Sequence, residues 1–205
     1  MLFRSDLEDS VPDPEKKTAR DLIKKALQSR SQYSSSVYVR TNSPISGKIP
    51  ADLQEIIQKG LDGIVIPKVN NPAELAKITK IISSLEKKRK LKPISVIPSI
   101  ESAQGVVNTY EIAKSSKRIP AVVFGVFDLL NDLGIEYTKQ AQGAQYSRAK
   151  IPVDAKAAGV LAIDGIWQDL QDTNGLREDC LAGKRLGYSG KSIIHPDQIQ
   201  HAHEL

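Results

Sequence analysis

Short apolar runs rich in Val and Ile recur along the chain: Val37-Tyr38-Val39, Gly63-Ile64-Val65-Ile66, Ile94-Ser95-Val96-Ile97, Ala121-Val122-Val123-Phe124, Val160-Leu161-Ala162-Ile163 and Lys191-Ser192-Ile193-Ile194. Continuous apolar runs of this length predict strands buried on both faces, as in a parallel sheet. The stretches between them carry a different period. Leu22, Ile23, Ala26 and Leu27, then Leu75, Ile78, Ile81, Ile82 and Leu85, fall at helical spacing and predict amphipathic helices packed on that sheet. Asp13-Pro14-Glu15 and Asn71-Pro72-Ala73-Glu74 each predict a helix start, with a capping side chain ahead of a proline and an acidic residue in the first turn.

Arg40, Lys68, Glu101, Asp128, Asp164 and His195 stand at or just past the strand ends, at separations of 28, 33, 27, 36 and 31 residues. That is one strand, one helix and two loops, repeated. An α/β fold follows, either a (β/α) barrel or a doubly wound sheet, and both place their chemistry at the carboxyl ends of strands. Glu8, within Asp6-Leu7-Glu8-Asp9, lies 32 residues before Arg40 and marks a seventh unit, whose strand is expected to be cut down to almost nothing. A full eight-unit barrel takes about 250 residues. With 205 residues, the expectation is one domain over 1–205, an incomplete TIM (β/α)8-type barrel lacking its first βα unit. No loop carries GxGxxG or GxxxxGK[ST], which weakens a nucleotide fold.

Composition narrows the class further. Hydrophobic residues make up 40% and charged residues 26%, as in ordinary globular proteins, and no apolar run reaches the roughly 18 residues needed to span a bilayer. No secretory pattern opens the chain, so the expected location is cytoplasmic and no membrane partner is expected. The single Cys180 forms no internal disulfide and, with three His, no zinc cluster. Lys and Arg exceed Asp and Glu by 29 − 24 = +5. Five of these cations crowd Lys87-Lys88-Arg89-Lys90-Leu91-Lys92 without aromatics, which reads as a solvated helix end, and no nucleic-acid partner is expected.

Two carboxylates at adjacent strand ends, Glu101 and Asp128, would point into one barrel mouth. Hard oxygen ligands in that number suit Mg²⁺, whose remaining positions take water or a 2-oxo acid. The alternative is that each carboxylate caps the helix after its strand. Arg40 offers a planar fork for a carboxylate or enolate, or else braces Asp6, Glu8 or Asp9. Lys68 is a Schiff-base nucleophile if desolvated, but surrounded by carboxylates it keeps its proton and pairs with them, the favoured reading. Ser99 and Ser102 have no neighbouring histidine for a hydrolase triad. His195 is either a hydrogen-bonded turn element or catalytic.

Asp6-Leu7-Glu8-Asp9-Ser10-Val11, Val39-Arg40-Thr41-Asn42, Pro67-Lys68-Val69, Ile100-Glu101-Ser102-Ala103-Gln104-Gly105, Phe124-Gly125-Val126-Phe127-Asp128-Leu129, Ala162-Ile163-Asp164-Gly165 and Gly190-Lys191-Ser192-Ile193-Ile194-His195-Pro196, in this order, resemble the HpcH/HpaI aldolase and citrate lyase family. The likeness is greatest to citrate lyase beta subunits and to citramalyl-CoA and malyl-CoA lyases. It implies a TIM barrel, often trimeric or hexameric, that makes or breaks a carbon–carbon bond in a 3-hydroxyacyl thioester with Mg²⁺. The implied metal ligands are Glu101 and Asp128. Arg40, with Glu8 and Asp9, would form the catalytic group, while Arg40, Lys68 and Glu101 would bind the substrate, a hydroxy acid linked to CoA or to an acyl carrier. Two departures accompany the resemblance. The family's opening strand with its Arg-Ser pair is missing, Arg4-Ser5 being in the wrong unit, and the helices that follow the Ile-His-Pro segment are absent. The expected activity is therefore a Mg²⁺-dependent lyase; the alternatives are a non-catalytic binding relative and an aldolase of free 2-oxo acids.

Overall fold

The computed structural model describes residues 2–32, 34–139 and 141–204. Its strands are β1 (Leu2–Asp6), β2 (Ser36–Arg40), β3 (Gly63–Ile66), β4 (Ser95–Ile100), β5 (Ala121–Phe124), β6 (Leu161–Asp164) and β7 (Gly190–Lys191). The helices are α1 (Lys16–Gln28), α2 (Ile49–Ile56), α3 (Pro72–Arg89), α4 (Ala103–Val107), α5 (Thr109–Lys114), α6 (Val126–Leu133), α7 (Gln145–Ala158), α8 (Thr173–Leu186) and α9 (Gln198–His203).

All seven strands pair in parallel and in chain order, β1 through β7. A doubly wound sheet reverses its order at a switch point, and this one does not, which removes that alternative. Right-handed crossovers that always step the same way put every helix on one face. The other face must then be buried by the sheet curling on itself. Side-chain alternation records both faces. Val37, Val39, Ile64, Ile66, Val96, Ile100, Val122 and Phe124 belong to the large core beneath the helices. Tyr38, Val65, Ile97, Ala121 and Val123, with Ile163 against them, form a second cluster drawn from five strands, which lines the inside of the curl.

Several expectations need correction. The first strand is not reduced to almost nothing. Leu2–Asp6 is a five-residue strand in full register with β2, Asp6 opposite Arg40. The last strand is shorter than expected, two residues rather than Lys191–Ile194. The Ser192 N–H still bonds the Asp164 carbonyl at 2.9 Å, and the chain then turns toward Pro196. Asn71 caps α3 as expected, its Oδ1 accepting the Glu74 N–H at 3.1 Å. Asp13 caps nothing. It opens a 3₁₀ turn, and its carboxylate pairs instead with Lys48. The basic run ends α3, with Lys90 as its left-handed terminus.

Candidate functional site

Asp6 ends β1 and Arg40 ends β2, and the register sets them side by side. Arg40 donates from Nε to Asp6 Oδ1 and from Nη2 to Oδ2, both at 2.7 Å, a bidentate pair. The remaining nitrogen, Nη1, lies 3.1 Å from Glu8 Oε2. The N–H groups of Glu8 and Ser10 also donate to the Asp6 carboxylate, at 3.0 and 3.2 Å. Burial alone would push the Asp6 acid up, but the Arg40 hydrogen bonds outweigh it and hold the group well below the usual carboxylate range. Asp6 and Arg40 thus form a permanent ion pair. The loop beyond is shaped from behind: the buried Lys16 of α1 donates from Nζ to the carbonyls of Leu7 (2.6 Å) and Glu8 (2.7 Å). Glu8 is buried, and burial raises its acid. Its Oε2 accepts no hydrogen bond.

Lys68 follows β3 with φ +53°, in the left-handed region that a non-glycine residue enters at a cost of about 1 kcal/mol or more. That turn points its N–H at Glu101, whose Oε2 accepts it at 2.9 Å. The ammonium meets three more carboxylates: Glu8 Oε1 at 3.1 Å, Asp128 Oδ1 at 3.2 Å and Asp9 Oδ2 at 3.5 Å. Desolvation opposes the charge, but the Glu8 and Asp128 contacts prevail and raise the Lys68 pKa. A lysine so held stays protonated, so the ion-paired reading applies and the Schiff-base one does not.

Glu101 follows β4 and is 6% exposed. Burial first, then the charges of Asp128 and Glu8, push its acid up to about 7. Neither carboxylate caps a helix. Ser102 caps α4 by accepting the Gly105 N–H, α6 begins after Gly125 without a side-chain cap, and Asp128 lies inside the first turn of α6. The helix-cap alternative is therefore set aside. Gly125 makes the approach possible: a Cβ there would stand 2.3 Å from Glu101 Cγ and 2.7 Å from Oε1.

Glu8, Asp9, Arg40, Lys68, Glu101 and Asp128 thus converge at the carboxyl ends of β1 to β5, as the strand-end spacing suggested. Asp164 and His195 do not join them. Asp164 points into the helix layer, where it holds Arg148 of α7 and Lys191, with Asp179 of α8 completing the network. His195 is half-exposed, its Nδ1 accepting the Asp197 N–H at 3.3 Å in a turn. Sequence reasoning missed Lys16, a lysine in an amphipathic helix with no motif to mark it. It also set Arg4 aside; the structure puts Arg4 within electrostatic reach of Arg40, Asp6, Glu101 and Glu8.

The donor set suits a hard divalent cation. Among the described residues no three acidic, His or Cys side chains close into a ready-made cage. Two carboxylates instead meet around one loop, with Glu101 raised by its acidic neighbours and a glycine clearing space for it. An open site of this kind leaves positions for water and substrate oxygens, as Mg²⁺ prefers.

A curled, parallel, helix-backed sheet with acidic groups at its strand ends defines an α/β protein of the strand-end, acid-mouthed class. Residues 4–196 match the HpcH/HpaI aldolase/citrate lyase family model, and the chain belongs to that family. It is 35% identical over 205 residues to the mitochondrial citramalyl-CoA lyase of Rattus norvegicus, covering 95% of this chain and 61% of the relative. It is 34% identical to the citrate lyase subunit beta of Leuconostoc mesenteroides subsp. cremoris, covering 95% and 65%. The chain therefore spans less than two thirds of these relatives' length. Among solved structures, RipC from Yersinia pestis superposes with a TM-score of 0.84 at 26% identity, over 99% of this chain and 87% of that one. The citrate lyase beta subunit of M. tuberculosis, complexed with oxaloacetate and magnesium, gives 0.82 at 25% identity, over 99% and 85%.

Proposed function

We propose that residues 1–205 belong to one domain of TIM (β/α)8-barrel type that serves as a Mg²⁺-dependent carbon–carbon lyase. The reaction is cleavage of a 3-hydroxyacyl thioester of citryl, citramalyl or malyl type, carried on CoA or an acyl carrier, to a 2-oxo acid and an acyl thioester. The observation that carries this reading is the meeting of Glu101 and Asp128 around Lys68, with the buried Glu101 acid raised to about 7 by burial and by its acidic neighbours.

Glu101 and Asp128 would hold the metal, which when bound supplies Lewis acidity toward the keto oxygen. Arg40, its nitrogens held by Asp6 and Glu8, would offset the charge of these carboxylates beside the enolate that develops on the thioester side and would fix Glu8 in place. Lys68 fixes Glu101 through its N–H and balances the charge of Glu8, Asp9 and Asp128, and so places the substrate acid. Glu8, with one buried oxygen free of hydrogen bonds, and the exposed Asp9 order water at the point where the hydroxyl proton leaves.

Assembly with other copies of the chain, as the family resemblance implies, is part of the same proposal. No helix among the described residues is long and apolar enough to cross a membrane, and a lone free Cys180 suits a reducing compartment such as the cytoplasm.

The test is a cleavage assay across citryl-, citramalyl- and malyl-CoA with and without Mg²⁺. Arg40→Ala is expected to lower turnover by about 10²–10³-fold, the usual loss for one electrostatic donor. Turnover indifferent to Mg²⁺ would refute the reading. Mg²⁺ binding with no cleavage of any thioester would favour the binding relative, and cleavage of free hydroxy acids the free-acid aldolase.

A further inference from the structure

Arg4 stands on β1 opposite Tyr38, two residues before Asp6. Residues two apart on a strand share a face. Asp6 on that face grips Arg40, and Tyr38 belongs to the apolar cluster inside the curl. Arg4 therefore projects into the interior, one pleat below the Asp6–Arg40 pair. It is half-buried. Among the described residues no hydrogen bond or ion pair holds it. Its charge is felt by Asp6, Glu101 and Glu8, while burial and the repulsion of Arg40 depress its pKa.

A guanidinium has five N–H donors, and withdrawing them from water without partners is unfavourable. The neighbouring cations are already committed. Arg40 spends all three nitrogens on Asp6 and Glu8, and Lys68 is shared among Glu8, Asp9 and Asp128. Arg4 is the cation of this group whose donors remain open to an incoming anion. A substrate tethered to a bulky carrier must leave that carrier at the open mouth, so the small acid end is the part that points down toward β1.

We infer that Arg4 is a specificity-determining residue: its guanidinium receives the carboxylate at the inner end of the substrate acid and selects dicarboxylic over monocarboxylic 2-oxo acids. The choice of 2-oxo acids rests on the lyase reading above; the anion site itself does not.

The experiment is titration calorimetry of the parent chain, Arg4→Gln and Arg4→Lys with oxaloacetate and with pyruvate, both in Mg²⁺, alongside Mg²⁺ alone. Arg4→Gln is expected to weaken oxaloacetate by about 10–100-fold, the loss typical of hydrogen bonds to a charged group. Pyruvate should change by less than about threefold on the same scale, and Arg4→Lys should recover part of the oxaloacetate loss. Mg²⁺ affinity in Arg4→Gln should equal or exceed the parent's, because a nearby positive charge is gone, and unchanged melting would show that the fold is intact. Equal losses for the two acids, or no loss for oxaloacetate, overturn the inference. Should the parent bind neither 2-oxo acid, the lyase reading fails and Arg4 is judged on malonate without Mg²⁺: stabilisation of the parent but not of Arg4→Gln keeps the anion site, and any other result removes it.

Discussion

Glu101 is a buried carboxyl whose ionisation the fold resists. Its acid sits near 7 in the folded chain against an ordinary 4.5, for burial and for the charges of Asp128 and Glu8. An acid whose folded pKa is raised binds more protons folded than unfolded between those values, so its contribution to stability falls as pH rises from about 4.5 to about 7 and is level above. Without divalent cation, Glu101→Gln should therefore be more stable than the parent at pH 8 by up to about 3 kcal/mol, with no advantage below pH 4. Denaturant unfolding at the two pH values measures this, and a pH-independent difference would contradict the burial account. Gly125 tests the same spot sterically. Gly125→Ala places a methyl against Glu101 Cγ and Oε1 and is expected to lower Mg²⁺ affinity at least tenfold while the circular dichroism spectrum stays that of the parent. Glu101 and Asp128 could be singled out from the sequence because each follows closely on the end of an apolar run, Glu101 next to β4 and Asp128 in the first turn of α6. Arg4 and Lys16 were not, because a basic residue in a strand or an amphipathic helix looks like any solvated cation until its neighbours are known.

At the scale of the element, two helix starts that look alike in sequence part company. Asn71 accepts the Glu74 N–H and caps α3, whereas Asp13 opens a 3₁₀ turn and reaches Lys48. Asn71→Ala should cost about 1 kcal/mol in chemical unfolding, and Asp13→Ala should leave the transition where it was. Local sequence cannot separate the two, since Lys48 lies 35 residues away and competes for the Asp13 side chain. The loop after β1 depends on Lys16 in the same non-local way. Lys16→Met would leave the Leu7 carbonyl unpaired and the Glu8 carbonyl with the Val11 N–H alone, a loss of about 1–3 kcal/mol, and should lower turnover as Glu8 drifts. Unchanged stability with full activity would show that the loop holds itself.

At the scale of the molecule, the seven parallel strands among the described residues, in chain order, place the helices on one side and a separate apolar cluster on the other. The acidic site crowns that inner cluster. A cation bound there is linked to folding, so Mg²⁺ at a hundred times its dissociation constant should stabilise the chain by about 2.7 kcal/mol, seen as a rise in melting temperature. Asp128→Asn should abolish most of that rise; a rise that survives would place the ion elsewhere.

The order of apolar runs and the even separation of the polar residues that follow them were enough to determine an α/β chain of repeating units with a cluster of charged residues near strand ends. Those features are local, set by how a chain alternates between the strand and helix periods. Tertiary structure alone decided which charges answer each other: that Asp6 occupies the Arg40 fork, that Asp164 turns to the helices, and that Arg4, among the described residues, is held by no hydrogen bond or ion pair. Such pairings depend on strand register and on which face each residue presents, and a shift of a single position would have exchanged every one of them.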